Sequence, residues 1–129
     1  MRAVDTNIAV RFITRDDENQ ALRARAALAS GDLFLPTSVV LEIEWVLRSG
    51  YKFERASIAK ALTRIAGLPG ITIEQPAAVA QAIGWFNGGM DFADALHLAS
   101  AAGCEAMLSF DTKLAKAAKR LGTIPVVAP

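Results

Sequence analysis

The sequence predicts an α/β domain built around a mainly parallel sheet. Short apolar segments of strand length alternate along the chain with longer stretches of helical periodicity, which is the pattern of repeated β–α units. The 129 residues are 53% hydrophobic and 21% charged, so the chain can bury a sizeable core and is not a disordered segment. No linker, repeat or low-complexity stretch interrupts the pattern. We therefore expect residues 1–129 to form one domain.

Five segments carry the composition of buried strands, being aliphatic and bounded by polar, glycine or proline residues. They are residues 2–5, 33–36, 71–74, 106–109 and 125–127. The helical stretches between them are residues 6–13, 17–30, 37–49, 54–66, 77–87, 91–102 and 112–121. Local signals mark several helix ends. Asp17 with Gln20 forms a start resembling a capping box, Pro76 opens a helix, and Gly31, Gly103 and Gly122 follow helices.

Composition excludes several classes of protein. A single cysteine excludes an internal disulfide framework. No apolar run is long enough to cross a membrane and no signal peptide is recognisable, so we expect a cytoplasmic protein without a membrane partner. The 14 basic and 13 acidic residues nearly balance. A nucleic-acid partner remains possible if the acids are concentrated in one site and the bases surround it.

The stretch MDFADALHLAS, residues 90–100, places Asp91 and Asp94 one helical turn apart at the head of an apolar run. Two interpretations are open for such a pair. The aspartates can accept hydrogen bonds from free backbone N–H groups at a helix start. They can also hold a metal ion, and the positions of the other acids bear on this choice.

Four acids occupy related positions in the predicted topology. Asp5 closes the first strand, Asp111 follows the fourth, Glu42 lies about one turn into the helix after the second, and Asp94 lies in the first turn of its own helix. Ligands of open α/β sheets bind beyond the carboxyl ends of the strands. We therefore expect these carboxylates to converge on a cavity at that edge of the sheet.

The helix at residues 37–49 distinguishes its two glutamates. At about 100° per residue, its apolar residues form one face, Glu44 and Arg48 form an exposed i, i+4 pair, and Glu42 falls at the border of the core. A carboxylate at that border is costly unless a cation or a proton donor meets it. Clustered carboxylates without a second histidine or a thiolate cluster favour Mg²⁺ or Mn²⁺. Such ions commonly support phosphodiester hydrolysis.

Four stretches together resemble the PIN-domain ribonucleases, and in particular the VapC-type toxins of toxin–antitoxin pairs. They occur in the family's order over essentially the whole chain, and read AVDTNIAVRF, SVVLEIEWVLRSGY, MDFADALHLASAAG and MLSFDTKLAKAA. The resemblance assigns the acidic, metal-binding and catalytic quartet to Asp5, Glu42, Asp94 and Asp111. Asp91 matches an additional acid, and Ser109 matches a small hydroxyl residue that bonds a carboxylate or a metal-bound water.

The resemblance implies a three-layer α/β/α fold with a central, mainly parallel sheet of about five strands. It also implies Mg²⁺- or Mn²⁺-dependent endoribonuclease activity, a homodimer, and an antitoxin that obstructs the acidic site. In this interpretation Thr6 and Asn7 orient Asp5 by hydrogen bonds, although both can also serve as helix-capping residues. The alternatives are a PIN-fold nuclease that acts on another nucleic acid and a non-catalytic PIN module that binds nucleic acid or protein. A phosphoryl-aspartate enzyme is disfavoured because Thr6 and Asn7 follow Asp5 where a second acid is usual.

The remaining polar and aromatic residues admit simpler roles. We expect His97 to be packed and hydrogen-bonded, and Trp45, Trp85 and Phe86 to fill the core or a dimer face. Some of the arginines of the first two helices are candidates for contacts with RNA phosphates or with an acidic partner, and others form a solvated helix face. These arginines are Arg11, Arg15, Arg23 and Arg25.

Overall fold

A computed structural model describes residues 1–129 and has the α/β architecture that the sequence predicts. The strands are β1 (Arg2–Ala3), β2 (Leu33–Leu35), β3 (Ile71–Ile73), β4 (Met107–Leu108) and β5 (Val126–Val127). The helices are α1 (Thr6–Thr14), α2 (Glu18–Ala29), α3 (Thr37–Ser49), α4 (Arg55–Ala66), α5 (Pro76–Asn87), α6 (Phe92–Ser100) and α7 (Thr112–Leu121). All predicted elements are present, and their ends differ from the predicted ones by at most two residues.

All strand pairs are parallel, as predicted. β2 lies between β1 and β3, with Leu33 beside Arg2 on one side and beside Ile71 on the other. β4 pairs with β5, with Met107 beside Val126. The ladder hydrogen bonds thus divide the five strands into a three-stranded and a two-stranded sheet.

The strands are shorter than predicted because the helices begin almost directly after them. Asp5 and Pro36, which we assigned to strand ends, are instead the residues that cap α1 and α3 in extended backbone conformation. Pro36 has no N–H group to offer a ladder. This tight connection places the starts of α1 and α3 at the carboxyl ends of β1 and β2, so that Asp5 lies directly at the end of β1 and Glu42 lies about one turn into α3.

The structure confirms three of the predicted signals at helix ends, those of Asp17, Pro76 and Gly122. The carboxylate of Asp17 accepts a hydrogen bond from the backbone N–H of Gln20 at 2.9 Å. Pro76 occupies the first turn of α5. Gly122 ends α7 with φ +71°, a left-handed conformation that glycine adopts without a steric cost.

The core holds α6 in place through α4 and α5. Phe86 of α5 and Phe92 of α6 pack edge to face with ring centroids 5.4 Å apart. The guanidinium of Arg55 donates to the carbonyl oxygens of Phe86 and Met90, both at 2.7 Å, and lies 4.6 Å from the centre of the Phe86 ring. These contacts fix the α5–α6 corner from which Asp91 and Asp94 project.

Two of the three aromatic residues assigned to a core or dimer face contribute to the core. Phe86 is buried, and Trp85 is partly buried against the core. Trp45 is 57% exposed, so it does not fill the core, and a dimer face stays the prediction for it. None of the helices has the length and apolarity needed to cross a bilayer.

Candidate active site

The start of α6 supports the capping interpretation of Asp91. Its carboxylate accepts a hydrogen bond from the backbone N–H of Asp94 at 3.0 Å. Asp94 itself lies in the first turn, where its charge also suits the helix dipole. The cap occupies one oxygen of the Asp91 carboxylate. The side-chain carboxylate of Asp94 accepts no hydrogen bond within the chain.

Asp94 lies where negative charge is unfavourable. Burial raises the pKa of the Asp94 carboxyl, and the neighbouring carboxylates of Asp91 and Asp111 raise it further. His97 and Lys113 act on this pKa in the opposite direction. The structure therefore brings the acids of α6 and the acid that precedes α7 within electrostatic range of one another.

Asp111 also caps a helix. Its Oδ1 accepts hydrogen bonds from the backbone N–H groups of Lys113 at 2.9 Å and Leu114 at 3.2 Å. The hydroxyl oxygen of Ser109 accepts a hydrogen bond from the backbone N–H of Asp111 at 3.0 Å. Ser109 thus fixes the turn before α7 through the backbone of Asp111, and a bond from its hydroxyl to a carboxylate or to a metal-bound water stays a prediction.

Asp5 occupies the cap position of α1 without forming a side-chain cap hydrogen bond. Its side chain is exposed, whereas Thr6 is buried and the Thr6 hydroxyl has no hydrogen-bond partner. The prediction that Thr6 orients Asp5 by a hydrogen bond is therefore wrong in this structure. Asn7 lines a cavity of about 460 Å³ with Arg11 and Arg23.

The phase predicted for α3 is wrong. The buried residues of this helix are Val40, Ile43, Glu44 and Leu47. Glu44 is only 3% exposed, whereas Glu42 is exposed. The apolar residues Val39 and Val46 are only partly buried, so the buried face of the helix is rotated toward Glu44.

Glu44 is therefore the carboxylate of α3 whose burial carries a desolvation cost, and it is paired with Arg48. Arg48 Nε lies 2.7 Å from Glu44 Oε2, and Arg48 Nη2 lies 3.4 Å from Glu44 Oε1. The predicted i, i+4 pair is thus present, but one partner is buried. The hydrogen bond from Glu44 raises the pKa of Arg48, and the charges of Glu44 and Asp91 raise it further. Sequence reasoning missed that Arg48 lies within electrostatic range of Asp91.

Glu42 lies next to the start of α6. It lines a cavity of about 400 Å³ with Arg48 and with Ala93, the residue directly before Asp94. Because the Glu42 side chain is exposed to water, its charge has little desolvation cost and needs no ion-pair partner. Glu42 remains a candidate metal ligand because of this position and because of its place in the resemblance.

Two expectations about the basic residues around the site need correction. His97 is exposed and forms no hydrogen bond, so the prediction of a packed histidine is wrong. Arg11 serves the fold, because its guanidinium donates to Gln20 Oε1 at 2.7 Å and to the Tyr51 hydroxyl at 3.0 Å. Arg15, Arg23 and Arg25 are exposed and unpaired.

The acids are not assembled into a ready metal-binding group. Asp94 interacts electrostatically with Asp91 and Asp111, Glu42 lies next to the first turn of α6, and Asp5 lies at the start of α1. No group of three or more acidic, histidine or cysteine side chains is close enough to hold an ion. Convergence of Asp5, Glu42, Asp94 and Asp111 on one cavity stays a prediction.

The chemistry of these residues fits a hard divalent cation. All the donors are carboxylate oxygens, which Mg²⁺ and Mn²⁺ prefer. A cation would also relieve the unfavourable charge that burial and two neighbouring carboxylates impose on Asp94. A metal ion at this site would be held by Asp94 and Asp111 together with Glu42 and Asp5.

Asp94→Asn is expected to raise the melting temperature of the metal-free protein at neutral pH. The pKa of Asp94 is higher in the folded protein than its ordinary value of 3.8, so ionisation of this group opposes folding above that pH. Asparagine is neutral at every pH, so its advantage should disappear as the pH falls below 3.8. Thermal melts of both proteins in EDTA at several pH values measure this. A variant that is less stable at neutral pH would contradict the electrostatic account, and Asp17→Asn, which keeps its cap, is the control.

Comparison with known proteins gives one match. A family model described as the PIN domain matches residues 2–120. No curated protein and no solved structure matches the chain.

Proposed function

Because the chain belongs to the PIN domain family, we propose that it is a metal-dependent endoribonuclease that hydrolyses RNA phosphodiester bonds. PIN domains are generally metal-dependent nucleases and typically use divalent ions such as Mg²⁺. The observation that carries the proposal is the match to the PIN domain family over residues 2–120. The environment of Asp94 supports it, because burial and the neighbouring carboxylates of Asp91 and Asp111 raise the pKa of the Asp94 carboxyl, and a divalent cation would relieve this unfavourable charge.

At such a site, some residues would hold the metal ion and others would position the helices that carry them. Asp5, Glu42, Asp94 and Asp111 would hold Mg²⁺ or Mn²⁺, which activates water and neutralises charge on the phosphate. Asp91 and Ser109 hold the first turns of α6 and α7 through backbone hydrogen bonds. The paired guanidinium of Arg48 lies within electrostatic range of Asp91 and offsets part of the negative charge.

The preference for RNA over DNA comes from the resemblance to PIN-domain ribonucleases, since the same chemistry cuts either polymer. A nuclease acting on another nucleic acid is therefore the nearest alternative. No side chain of the site is identified as a reader of the 2′-hydroxyl group. Parallel assays with RNA and DNA oligonucleotides of one sequence separate the two activities.

The resemblance to VapC-type toxins supports a toxin role within this activity. The proposal then includes a cognate antitoxin that obstructs the acidic site, and a homodimer. Expression of the chain alone should arrest the growth of a bacterial host, and expression of the Asp94→Asn variant should not. Growth arrest by both proteins would contradict a toxin that acts through its carboxylates.

Purified protein is expected to cleave single-stranded or loop RNA with Mg²⁺ or Mn²⁺ and to stop when EDTA is added. Metal-assisted attack of water leaves 5′-phosphate and 3′-hydroxyl ends, which end-labelling and sequencing of the products identify. An Asp94→Asn protein purified in parallel controls for contaminating nucleases. Full activity in EDTA, or products with 2′,3′-cyclic phosphates, would overturn the mechanism. RNA binding without cleavage would favour a non-catalytic module.

A further inference from the structure

Helix α7 presents a basic face that no acid of the chain neutralises. Lys113, Lys116, Lys119 and Arg120 are all exposed. None of them takes part in an ion pair. At about 100° per residue, Lys113, Lys116 and Arg120 form one exposed stripe, and the buried residues Leu114, Ala117 and Ala118 lie to one side of it. Over these seven residues the stripe runs roughly 10 Å along the helix.

The stripe of Lys113, Lys116 and Arg120 begins beside the acidic residues of the candidate active site. It begins two residues after Asp111, whose Oδ1 accepts a hydrogen bond from the backbone N–H of Lys113 at 2.9 Å. The arginines that serve the fold are paired, as Arg11, Arg48 and Arg55 show. The cations of α7 are therefore available to an anion at the acidic site.

An exposed aromatic ring lies at the head of the same helix. Phe110 is 83% exposed, and it directly precedes Asp111. It is the most exposed of the large hydrophobic residues of the chain. Sequence reasoning did not single out Phe110, because a phenylalanine after an apolar strand is expected in the core. A free aromatic face beside unpaired cations is the combination that single-stranded nucleic acids use for stacking and phosphate contacts.

We propose that Phe110 and the stripe of Lys113, Lys116 and Arg120 form a binding track for single-stranded RNA that leads into the acidic site. Phe110 stacks on a base, and the three cations contact successive phosphates of the same strand. The inference rests on the proposed function, and it specifies which face of the domain the substrate follows. An acidic protein segment would use the cations but not the stacking face of Phe110, so we assign the surface to RNA.

Salt dependence tests the phosphate contacts. Binding of a fluorescent single-stranded RNA is measured by anisotropy at several salt concentrations, with Asp94→Asn present in every protein so that the RNA stays intact. Each phosphate contact contributes about 0.7 to the slope of log K against log salt for a single strand. The triple variant Lys113→Gln, Lys116→Gln and Arg120→Gln should therefore lower this slope by about 2.

The matched control removes three positive charges from surfaces outside α7. Lys52, Lys60 and Arg64 are exposed and have no ion-pair partner, and their replacement by Gln should leave the slope nearly unchanged. Equal slopes for the two triple variants would overturn the track. Absence of RNA binding by the parent protein would overturn it as well.

The Phe110→Ala variant tests the proposed base stacking separately from the proposed phosphate contacts. Loss of one base stack should weaken binding by roughly 5- to 150-fold without changing the salt slope. Leu22→Ala, which removes another exposed apolar side chain, should not weaken binding. Unchanged affinity of the Phe110 variant would remove the stacking element from the proposal.

Cleavage assays distinguish this inference from the proposed function. Metal-dependent cleavage by the protein with an intact Asp94, together with equal slopes for the two triple variants, would refute the track and leave the nuclease intact. A lower slope in the α7 triple variant alone, without any cleavage by the protein with an intact Asp94, would support the track and refute the nuclease.

Discussion

Glu42→Gln is expected to lower the rate of RNA cleavage by at least about 100-fold and to leave the fold unchanged. Loss of groups that only orient metal ligands costs about 10- to 100-fold in affinity or activity, so loss of a direct ligand should cost at least as much. The side chain is exposed, so glutamine is accommodated without strain. Cleavage rates and melting curves with and without Mn²⁺ measure both effects.

Glu54→Gln is the matched control for this substitution. Glu54 is exposed and its side chain forms no cap hydrogen bond, so the variant should keep full activity. Mn²⁺ should stabilise the parent protein more than the Glu42 variant. An active Glu42→Gln protein would remove Glu42 from the proposed site and with it the resemblance-based assignment of α3.

The two roles of Asp111 are separable in the same assay. Asparagine can accept the hydrogen bonds from the N–H groups of Lys113 and Leu114, but it carries no charge. Asp111→Asn should therefore lose cleavage and keep stability, whereas Asp111→Ala should also lose about 1 kcal/mol of stability. Equal activity of Asp111→Asn and the parent protein would show that Asp111 is only a cap.

Arg48→Met is expected to lower the free energy of unfolding by about 2–3 kcal/mol. It leaves the Glu44 carboxylate buried without its cation, and breaking a fully buried pair costs about 3–5 kcal/mol. The expected value is smaller because the Arg48 side chain is 51% exposed, so water reaches the pair. Urea denaturation gives the free energy of unfolding of each variant.

A double variant tests this explanation. Replacing Glu44 with Met in the Arg48→Met protein removes the buried charge, so the double variant should be more stable than Arg48→Met. Arg23→Met is the control, since Arg23 is exposed and unpaired, and its cost should stay within about 0.5 kcal/mol. A double variant no more stable than Arg48→Met would show that the charge of Glu44 is not the cause.

Features that depend on neighbouring residues in the chain were predictable from the sequence. The cap of Asp17, the proline that opens α5 and the glycine that ends α7 depend on backbone geometry within a few residues, so local composition determines them. The alternation of strands and helices follows from hydrophobic periodicity in the same way. The four motifs also identified the family, which the match over residues 2–120 confirms.

Tertiary packing decided which side of each helix is buried. Periodicity gave α3 an apolar face, but only its contacts with the rest of the core determined that Glu44 lies inside and Glu42 outside. The exposure of Trp45 and Phe110 was decided in the same way. A side chain's burial depends on neighbours far away in the sequence, and a rotation of the helix by a fraction of a turn exchanges its border residues. For this reason the sequence predicted only that the acids lie near one edge of the sheet, and the tertiary structure determined that Asp94 interacts with Asp91 and Asp111.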